Sequence, residues 1–353
     1  MAAKIDRGSE LLKRARKWGN PVIQGETVTF LWHGRSAPNL VSDLDGWEEG
    51  PRPLKRINRE VWGISLKLPR DAYLEYSFYD PRTRQFLSDP LNAKSVSNGV
   101  GGRNQFFYMP DAAPTPLTRP GPSQTQGQLS RHQIDADGMA VHRKRTVYLY
   151  QPPVTRPVPL VLVLDGFEYL RRVRIAQIVD NLIAQKRIRP IALALVQNGG
   201  VHGRTVEYAC SEATLAFLKN MVLPLAASQL NLVDIHKHPG AYGIVGSSLG
   251  GLMAVFTALR LPGIFGRAIS QSGAFELWGI ETVAMQLVRC IQKPDIRLWM
   301  DVGHLEELLE CNRRMHRLLR SQGYEVGYHE FVGGHNTTSW RDDLGIGLEA
   351  LFC

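Results

Sequence analysis

A glycine–serine turn constrains the fold of this chain more than any other feature. Gly246-Ser247-Ser248-Leu249-Gly250 follows the apolar run 241–245 and precedes a segment from Gly251 with apolar residues at helical spacing, which stops at Pro262-Gly263. This pattern predicts a buried strand, a sharp turn and a helix. Glycines allow the tight bend and the close approach of another molecule, so Ser248 at the apex is a candidate nucleophile.

The same five residues are compatible with two other interpretations. A glycine-rich turn can exist only because strand and helix pack closely, and a turn at a helix N-terminus can bind phosphate. A GxSxG string also arises by chance in chains of this length, so its partners must decide between the interpretations.

From about Arg143, short apolar segments alternate with longer amphipathic ones, as is typical of a mostly parallel sheet with helices on both faces. A helix is predicted over 307–319, where apolar side chains recur at helical spacing. We therefore predict an α/β-hydrolase fold for residues 129–353. The predicted strands are 147–150, 160–164, 191–196, 241–245, 268–270, 298–302 and 326–331.

The first third of the chain has a different pattern. Residues 27–109 contain many short runs of β-branched and aromatic residues separated by turns, which predicts a small all-β sandwich domain. Residues 110–128 are rich in Pro, Gly, Ser, Thr and Gln and are predicted to be a linker. Residues 1–26 are basic and carry Leu11, Leu12, Ala15 and Trp18 among the charges, which favours a docking helix over a membrane anchor.

Composition narrows the class of protein. The 353 residues are 44% hydrophobic and 21% charged, with no apolar run long enough to span a membrane and no apolar signal core, so a cytoplasmic protein is expected. The four cysteines lack metal-ligand spacing, and neither a metal nor another cofactor is expected. The formal charge of +9 is dispersed, which argues against nucleic acid and fits either an anionic small substrate or a solubility effect.

A serine nucleophile needs a base, usually a histidine oriented by a carboxylate, and in an α/β-hydrolase sheet the chain order is Ser, acid, His. Gly333-Gly334-His335 follows the last predicted strand, and we predict His335 as the base, although a histidine in a surface loop remains an alternative. For the acid, Glu306 is favoured because it lies just beyond the strand 298–302. Asp301, within that strand, and Glu307, at the predicted helix start, stay open.

Acyl transfer also requires donors for the oxyanion. The backbone N–H of Leu249, directly after Ser248, is one candidate. The second is the backbone N–H of Phe167, because Asp165-Gly166-Phe167 follows the strand 160–164 and glycine lets the loop turn back. An ordinary Asp-Gly turn is the alternative interpretation.

Several motifs together resemble the enterochelin (enterobactin) esterases, relatives of esterase D. In the C-terminal part these are Leu164-Asp165-Gly166, Arg204 with Glu207, Gly246–Gly251, Ser270-Gln271-Ser272-Gly273, and Gly333-Gly334-His335 with Trp340; in the N-terminal part they are 28–32, Val61-Trp62 and 89–92. The resemblance implies an immunoglobulin-like N-terminal domain related to carbohydrate-binding modules.

The resemblance further implies ester hydrolysis, in the best-known members of a ferric triscatecholate siderophore, with iron release in the cytoplasm. Asn336-Thr337 follows His335 where relatives often have Asp-Trp, which bears on the identity of the substrate. Two alternatives remain open at this point. One is an esterase for other acyl groups, such as feruloyl or acetyl esters on carbohydrates, and the other is a non-catalytic binding protein with this fold.

Overall fold

A computed structural model describes residues 7–47, 50–99, 101–121, 126–136 and 138–353. Within these ranges the chain divides into two compact units. The first contains the residues up to Pro114 together with Gly303–Glu307 and Phe331–Ser339. The second contains Thr115–Val302, Leu308–Glu330 and Trp340–Cys353.

The first unit consists mainly of short antiparallel strands. They form one sheet in the order β1-β2-β6-β5 and another in the order β4-β3-β7-β10-β9, with β8 paired to β7. A 3-10 turn, Asp43–Asp45, follows β3. The elements are α1 (Arg7–Trp18), β1 (Val22–Gln24), β2 (Thr27–His33), β3 (Asn39–Ser42), β4 (Arg52–Pro53), β5 (Lys55–Arg56), β6 (Val61–Lys67), β7 (Tyr73–Asp80), β8 (Gln85–Leu87), β9 (Ser95–Ser97) and β10 (Arg103–Tyr108).

Aromatic side chains from both sheets share one core. Phe30 of β2 packs edge-to-face on Tyr76 of β7 at 5.0 Å between ring centroids and on Phe107 of β10 at 5.8 Å. Because alternate residues of a strand face opposite sides, the inward positions of the two sheets meet in this layer.

Helix α1 packs on this unit through one face. Leu12 and Ala15 are buried with Leu31 and Val61, whereas Trp18 is 78% exposed. The predicted helix therefore exists over Arg7–Trp18, but Trp18 does not take part in its buried face. The first six residues of the predicted basic arm lie outside the described residues.

The rest of the chain forms an eight-stranded sheet with helices between its strands, in the order β11-β12-β14-β13-β15-β16-β19-β20. Two π-helical segments, Tyr169–Val173 and Leu218–Val222, follow α2 and α5. The elements are β11 (Gln128–Asp135), β12 (Lys144–Gln151), β13 (Leu160–Val163), α2 (Gly166–Glu168), α3 (Ile175–Ala184), β14 (Ala192–Val196), α4 (Gly200–Tyr208), α5 (Glu212–Phe217), α6 (Leu223–Gln229), β15 (Tyr242–Ser247), α7 (Leu249–Arg260), β16 (Phe265–Gln271), β17 (Glu276–Leu277), β18 (Ile280–Glu281), α8 (Val283–Cys290), β19 (Arg297–Leu305), α9 (Leu309–Ser321), β20 (Glu325–Gly334) and α10 (Thr337–Phe352).

Strands β14, β13, β15, β16 and β19 pair in parallel, and β12 is antiparallel to both β11 and β14. Alternate strand residues face two cores: Leu162 lies in one with α7, and Val161 lies in the other with α3 and α10. Both faces of the sheet are thus covered by helices. In the described part of the chain, no helix combines the length and apolar character needed to span a membrane.

The structure differs from the sequence predictions at the start of the second unit. Leu117, within the predicted linker, is buried, and the Asn181 side chain donates to the carbonyls of Leu117 (2.5 Å) and Arg119 (2.9 Å). Part of this Pro-rich segment is therefore anchored, because a buried amide satisfies its backbone. Residues 122–125 of the predicted linker lie outside the described residues.

Strand β11 was not predicted from sequence. Its side chains are mostly exposed and only Ile134 is buried, so it lacks an alternating apolar pattern and is held by backbone pairing to β12. Helix α9 also begins at Leu309 rather than at Glu307, and β19 continues to Leu305. Glu306 consequently stands directly after a strand.

Candidate active site

Ser248 occupies a strained turn between β15 and α7. Its backbone has φ 58° and ψ −123°, a region that non-glycine residues rarely adopt. The Ser248 N–H donates to the carbonyl of Gln271 (2.8 Å), and the Ser248 carbonyl accepts from the N–H of Ala274 (3.1 Å). The end of β16 and the chain just after it therefore hold the turn through both backbone polar groups of Ser248.

The glycines of the turn are required because neighbouring atoms approach their Cα atoms closely. A Cβ atom on Gly246 would lie 2.3 Å from the carbonyl oxygen of Gly250, and one on Gly251 would lie 2.7 Å from Ser270 Oγ. Neither distance is sterically possible, so the two glycines allow the helix to start directly above the strand. The predicted strand, turn and helix are all present.

A second turn lies beside the first, because β13 and β15 are parallel neighbours with Val163 opposite Val245. Asp165 follows β13 with φ 53°, and α2 begins at Gly166. A Cβ atom on Gly250 would lie only 3.3 Å from Asp165 Oδ2, which shows how close the two turns are.

Arg204 of α4 joins these two turns. Its guanidinium donates to both carboxylate oxygens of Asp165, from Nε to Oδ1 at 2.9 Å and from Nη2 to Oδ2 at 2.7 Å, and from Nη2 to the carbonyl of Ser247 at 3.0 Å. Asn198 donates to Asp165 Oδ1 at 2.5 Å. Charge-assisted bidentate bonds of this kind fix geometry strongly. The sequence motifs contained Arg204, but its bridging position became visible only in the fold.

Leu249 and Phe167 are each in the first turn of a helix that follows one of these turns. The first N–H groups of a helix have no acceptor within the helix, so both residues present backbone donors at the same edge of the sheet. The Phe167 side chain is 43% exposed. Ser248, Leu249 and Phe167 therefore form one group of sequence-predicted residues.

Glu306 and His335 form a second group. His335 Nδ1 and Glu306 Oε2 are 2.5 Å apart, and Glu306 Oε1 accepts from the Gly303 N–H at 2.5 Å. The Glu306 side chain has no exposed surface, and that of His335 is 25% exposed. Both oxygens of this carboxylate are engaged, which fixes the orientation of the imidazole.

The other two candidate carboxylates have different environments. Asp301 lies on β19, is fully buried and accepts from Trp299 Nε1 (3.1 Å) and Gln271 Nε2 (3.3 Å). Glu307 is exposed. Of the three acids left open by the sequence, the structure brings Glu306 to His335.

A buried carboxyl from the first unit, Asp43, lies against the chain next to His335 and was missed by the sequence analysis. Asp43 Oδ2 accepts from Asn336 Nδ2 (3.2 Å) and from the Glu75 N–H (2.8 Å), and Oδ1 accepts from Trp47 Nε1 (2.9 Å). Burial raises the Asp43 pKa to about 8, and the charges of Glu75 and Glu306 add to the shift. No local motif signals this contact, because 293 positions separate Asp43 from Asn336.

The chain is similar to known esterases. The Esterase family model matches residues 138–351. The chain is 26% identical to the iron(III) salmochelin esterase of Escherichia coli O6:H1 over 91% of this chain and 87% of that protein. It is 22% identical to the iron(III) enterobactin esterase of Dickeya dadantii over 96% and 92%, respectively.

Among solved structures, the enterobactin esterase of Shigella flexneri, crystallised in the presence of enterobactin, superposes with a TM-score of 0.80 at 20% identity, covering 99% of this chain and 98% of that one. The two proteins share a mixed α/β fold with a large sheet and helices. The resemblance to the enterochelin esterases predicted from the motifs is confirmed. With more than half of its length matched by the family model, this chain belongs to the esterase family.

Proposed function

We propose that this protein is a serine esterase with an α/β-hydrolase fold in which Ser248 is the nucleophile, His335 the base and Glu306 the orienting acid. The observation that carries the proposal is the hydrogen bond between His335 Nδ1 and the buried carboxylate of Glu306. The strained backbone of Ser248, at the start of α7, supports its role as nucleophile, since such turns expose the hydroxyl of hydrolase serines.

In the proposed reaction Ser248 Oγ attacks the ester carbonyl and its proton passes to His335 Nε2. Glu306 holds the Nδ1–H tautomer and stabilises the imidazolium that forms. His335 then gives the proton to the leaving alkoxide, so that the alcohol departs and an acyl-enzyme remains. Water attacks that ester with His335 again as base, and the acid and free Ser248 are released.

The developing oxyanion is proposed to accept hydrogen bonds from the backbone N–H groups of Leu249 and Phe167. Their position in the first turns of α7 and α2 supports this role, because such N–H groups are directed away from the helix. The Arg204 contacts to Asp165 and to the Ser247 carbonyl would keep the two donors at a fixed separation. The alternative of an ordinary Asp-Gly turn at 165–166 assigns no such role to Phe167.

For the substrate we propose a ferric catecholate siderophore triester of the enterobactin or salmochelin type, hydrolysed in the cytoplasm with release of iron. The relatives named for these substrates align with 91% and 96% of the chain, so the similarity includes the N-terminal unit as well as the esterase region. We further propose that residues 27–109 are an immunoglobulin-like domain. The formal charge of +9 is consistent with an anionic substrate.

The nucleophile is tested with a fluorophosphonate probe, which labels activated serines. Wild-type protein and Ser247→Ala are expected to be labelled, and Ser248→Ala is expected to remain unlabelled. Ser247 is the matched control because it is the adjacent serine in the same turn. Labelling of Ser248→Ala, or no labelling of folded wild-type protein, would contradict the proposal, and the second result would favour a non-catalytic binding protein.

The substrate is tested by comparing kcat/KM for ferric enterobactin with that for a feruloyl sugar ester and an acetyl sugar ester. A higher kcat/KM for the ferric triester is expected. A preference for either sugar ester would reject the siderophore and retain the esterase chemistry, so the two parts of the proposal fail separately.

A further inference from the structure

We infer that Asp43, a carboxyl of the N-terminal unit, is a positioning residue that holds the chain segment carrying His335. The inference rests on the proposed function for its catalytic meaning, because it assigns Asp43 no contact with substrate. It gives the N-terminal unit a part in the reaction that a separate binding module would not have.

Asp43 directly contacts the residues on both sides of His335. Asp43 Oδ2 accepts from Asn336 Nδ2 at 3.2 Å. On the other side, a Cβ atom on Gly334 would lie 2.2 Å from Asp43 Cγ, so the Asp43 side chain rests on the Gly334 backbone. Both peptide neighbours of His335 are thus in contact with one buried side chain, which limits the movement of the imidazole.

Asp43 is itself held by several hydrogen bonds. Trp47 Nε1 and the Glu75 N–H donate to its two oxygens at 2.9 and 2.8 Å, and Ser42 caps the 3-10 turn that Asp43 begins. Asp43 is only 3% exposed. A positioning residue needs such support, because its own freedom would be transmitted to the group it positions.

The same segment has a second attachment within the first unit, at Glu75 of β7. Thr338 Oγ1 donates to Glu75 Oε1 at 3.4 Å, and Tyr73 Oη and Asn104 Nδ2 also donate to the Glu75 carboxylate. The Asn336 side chain in turn accepts from the Ser339 N–H at 2.9 Å, which joins it to the start of α10. Residues 334–339 are therefore fixed by two buried carboxyl groups, Asp43 and Glu75.

The neighbouring acid, Asp45, provides a control for Asp43. Asp45 lies in the same 3-10 turn, and its carboxylate binds Ser42 and Arg52, both within the N-terminal unit. Both of these partners lie outside the 334–339 segment. A change at Asp45 therefore disturbs the turn without removing the contact to Asn336, which makes Asp45→Asn the matched control.

The experiment uses full-length protein and an aryl ester. Asp43→Ala and Asn336→Ala are each expected to lower kcat by about tenfold to a hundredfold, the range that misplacement of a catalytic group produces, with KM changed less than threefold. Both variants break the same Asp43–Asn336 contact. The kcat of the double variant is therefore expected to lie within about twofold of the kcat of the slower single variant. Asp45→Asn is expected to keep wild-type kcat.

A folded Asn336→Ala with wild-type kcat would overturn the inference, as would a double variant whose loss equals the product of the single losses. Asn336 is only partly buried, so Asn336→Ala is expected to fold. It therefore tests the positioning role of Asp43 even if Asp43→Ala fails to fold.

A second readout is independent of turnover. In ¹⁵N-histidine NMR spectra, Asn336→Ala is expected to change the imidazole shifts and titration midpoint of His335, and Asp45→Asn is expected to leave them as in wild type. An unchanged His335 signal in Asn336→Ala would refute the positioning role. Because this result does not depend on Ser248, failure of the proposed esterase function and failure of this inference are distinguishable.

Discussion

Glu306 is a single residue whose proposed role as the orienting acid depends on its burial and its two hydrogen bonds. Its side chain is fully buried, one oxygen accepts from the Gly303 N–H and the other faces His335 Nδ1. A carboxylate acceptor at Nδ1 favours the tautomer in which Nε2 carries the lone pair. In the proposed reaction, this is the tautomer that a base for Ser248 needs.

Glu306→Gln tests whether the Glu306 charge is needed for this role, because the amide keeps the shape of the side chain and removes its charge. We expect kcat to fall by about 10³-fold or more, by analogy with the loss when a triad acid is made neutral, while KM changes little. The measurement is steady-state hydrolysis of an aryl ester. Glu307→Gln, at the adjacent exposed position, is expected to retain wild-type kcat, and equal losses in both variants would disprove the assignment of the acid.

Asp43 makes a prediction about pH and stability. Its pKa is raised to about 8 by burial, then by the Glu75 charge, with a further contribution from Glu306, whereas the carboxyl of the unfolded chain titrates near its ordinary value of 3.8. Between about pH 4 and pH 8 the folded state therefore holds a proton that the unfolded state has released, and the free energy of unfolding should fall as pH rises through this window. The titratable groups facing Asp43 from neighbouring elements are Glu75 and Tyr73 of β7 and Glu306 after β19.

Urea unfolding at pH 5 and pH 8 measures this difference. Asp43→Asn should lose less stability between the two pH values than wild-type protein, because the titrating group is gone. Asp45→Asn serves as the reference variant. A wild-type pH dependence in Asp43→Asn would show that other groups account for it.

Among the elements of the fold, β15, the turn at Ser248 and α7 together carry the proposed nucleophile. The apolar strand and the amphipathic helix were predictable because each has the hydrophobic period of its structure. The turn was predictable because glycines stand where backbone approaches backbone. Asp165 and Arg204 hold this turn in place. The fold brings the end of β13 and helix α4 to the same edge of the sheet, where Arg204 binds Asp165.

Gly246→Ala tests the steric basis of this element. The new methyl group would lie 2.3 Å from the Gly250 carbonyl oxygen, so backbone must move, and we expect a loss of about 1–3 kcal/mol in the free energy of unfolding together with a large fall in kcat. Gly263→Ala is the matched control, because no atom lies within 4 Å of its added Cβ and its expected change is within about 0.5 kcal/mol. Equal stability of the two variants would refute the close-approach argument.

At the scale of the whole molecule, the excess of positive charge is the property most relevant to a substrate. The chain has 42 Lys and Arg residues against 33 Asp and Glu residues, which gives the formal charge of +9. Many arginines are paired with carboxylates, as Arg145 is with Glu207 in a buried ion pair at 2.5 Å. Such pairs are locally neutral, so the electrostatic field far from the protein depends on the net charge. The net charge attracts anions over distances of about a Debye length.

We therefore expect kcat/KM for an anionic ferric catecholate ester to fall several-fold between 20 and 500 mM NaCl, because salt screens electrostatic steering. A neutral aryl ester should show little change over the same range and serves as the control. Equal salt dependence for both esters would show that the charge acts on the protein itself and does not guide the substrate.

The sequence alone was enough to predict the strand–turn–helix around Ser248, the alternation of strands and helices after Arg143, and the family, because these depend on local period, glycine positions and short motifs. It left three acids open, missed strand β11 and Asp43, and treated Leu117 as part of a linker. These depend on contacts between distant residues: the Glu306–His335 hydrogen bond, the backbone pairing of an exposed edge strand, the Asn336–Asp43 hydrogen bond and the amide of Asn181. Burial and hydrogen-bond partners are set by which segments meet in space and not by their separation along the chain, so these contacts become visible only in the folded chain.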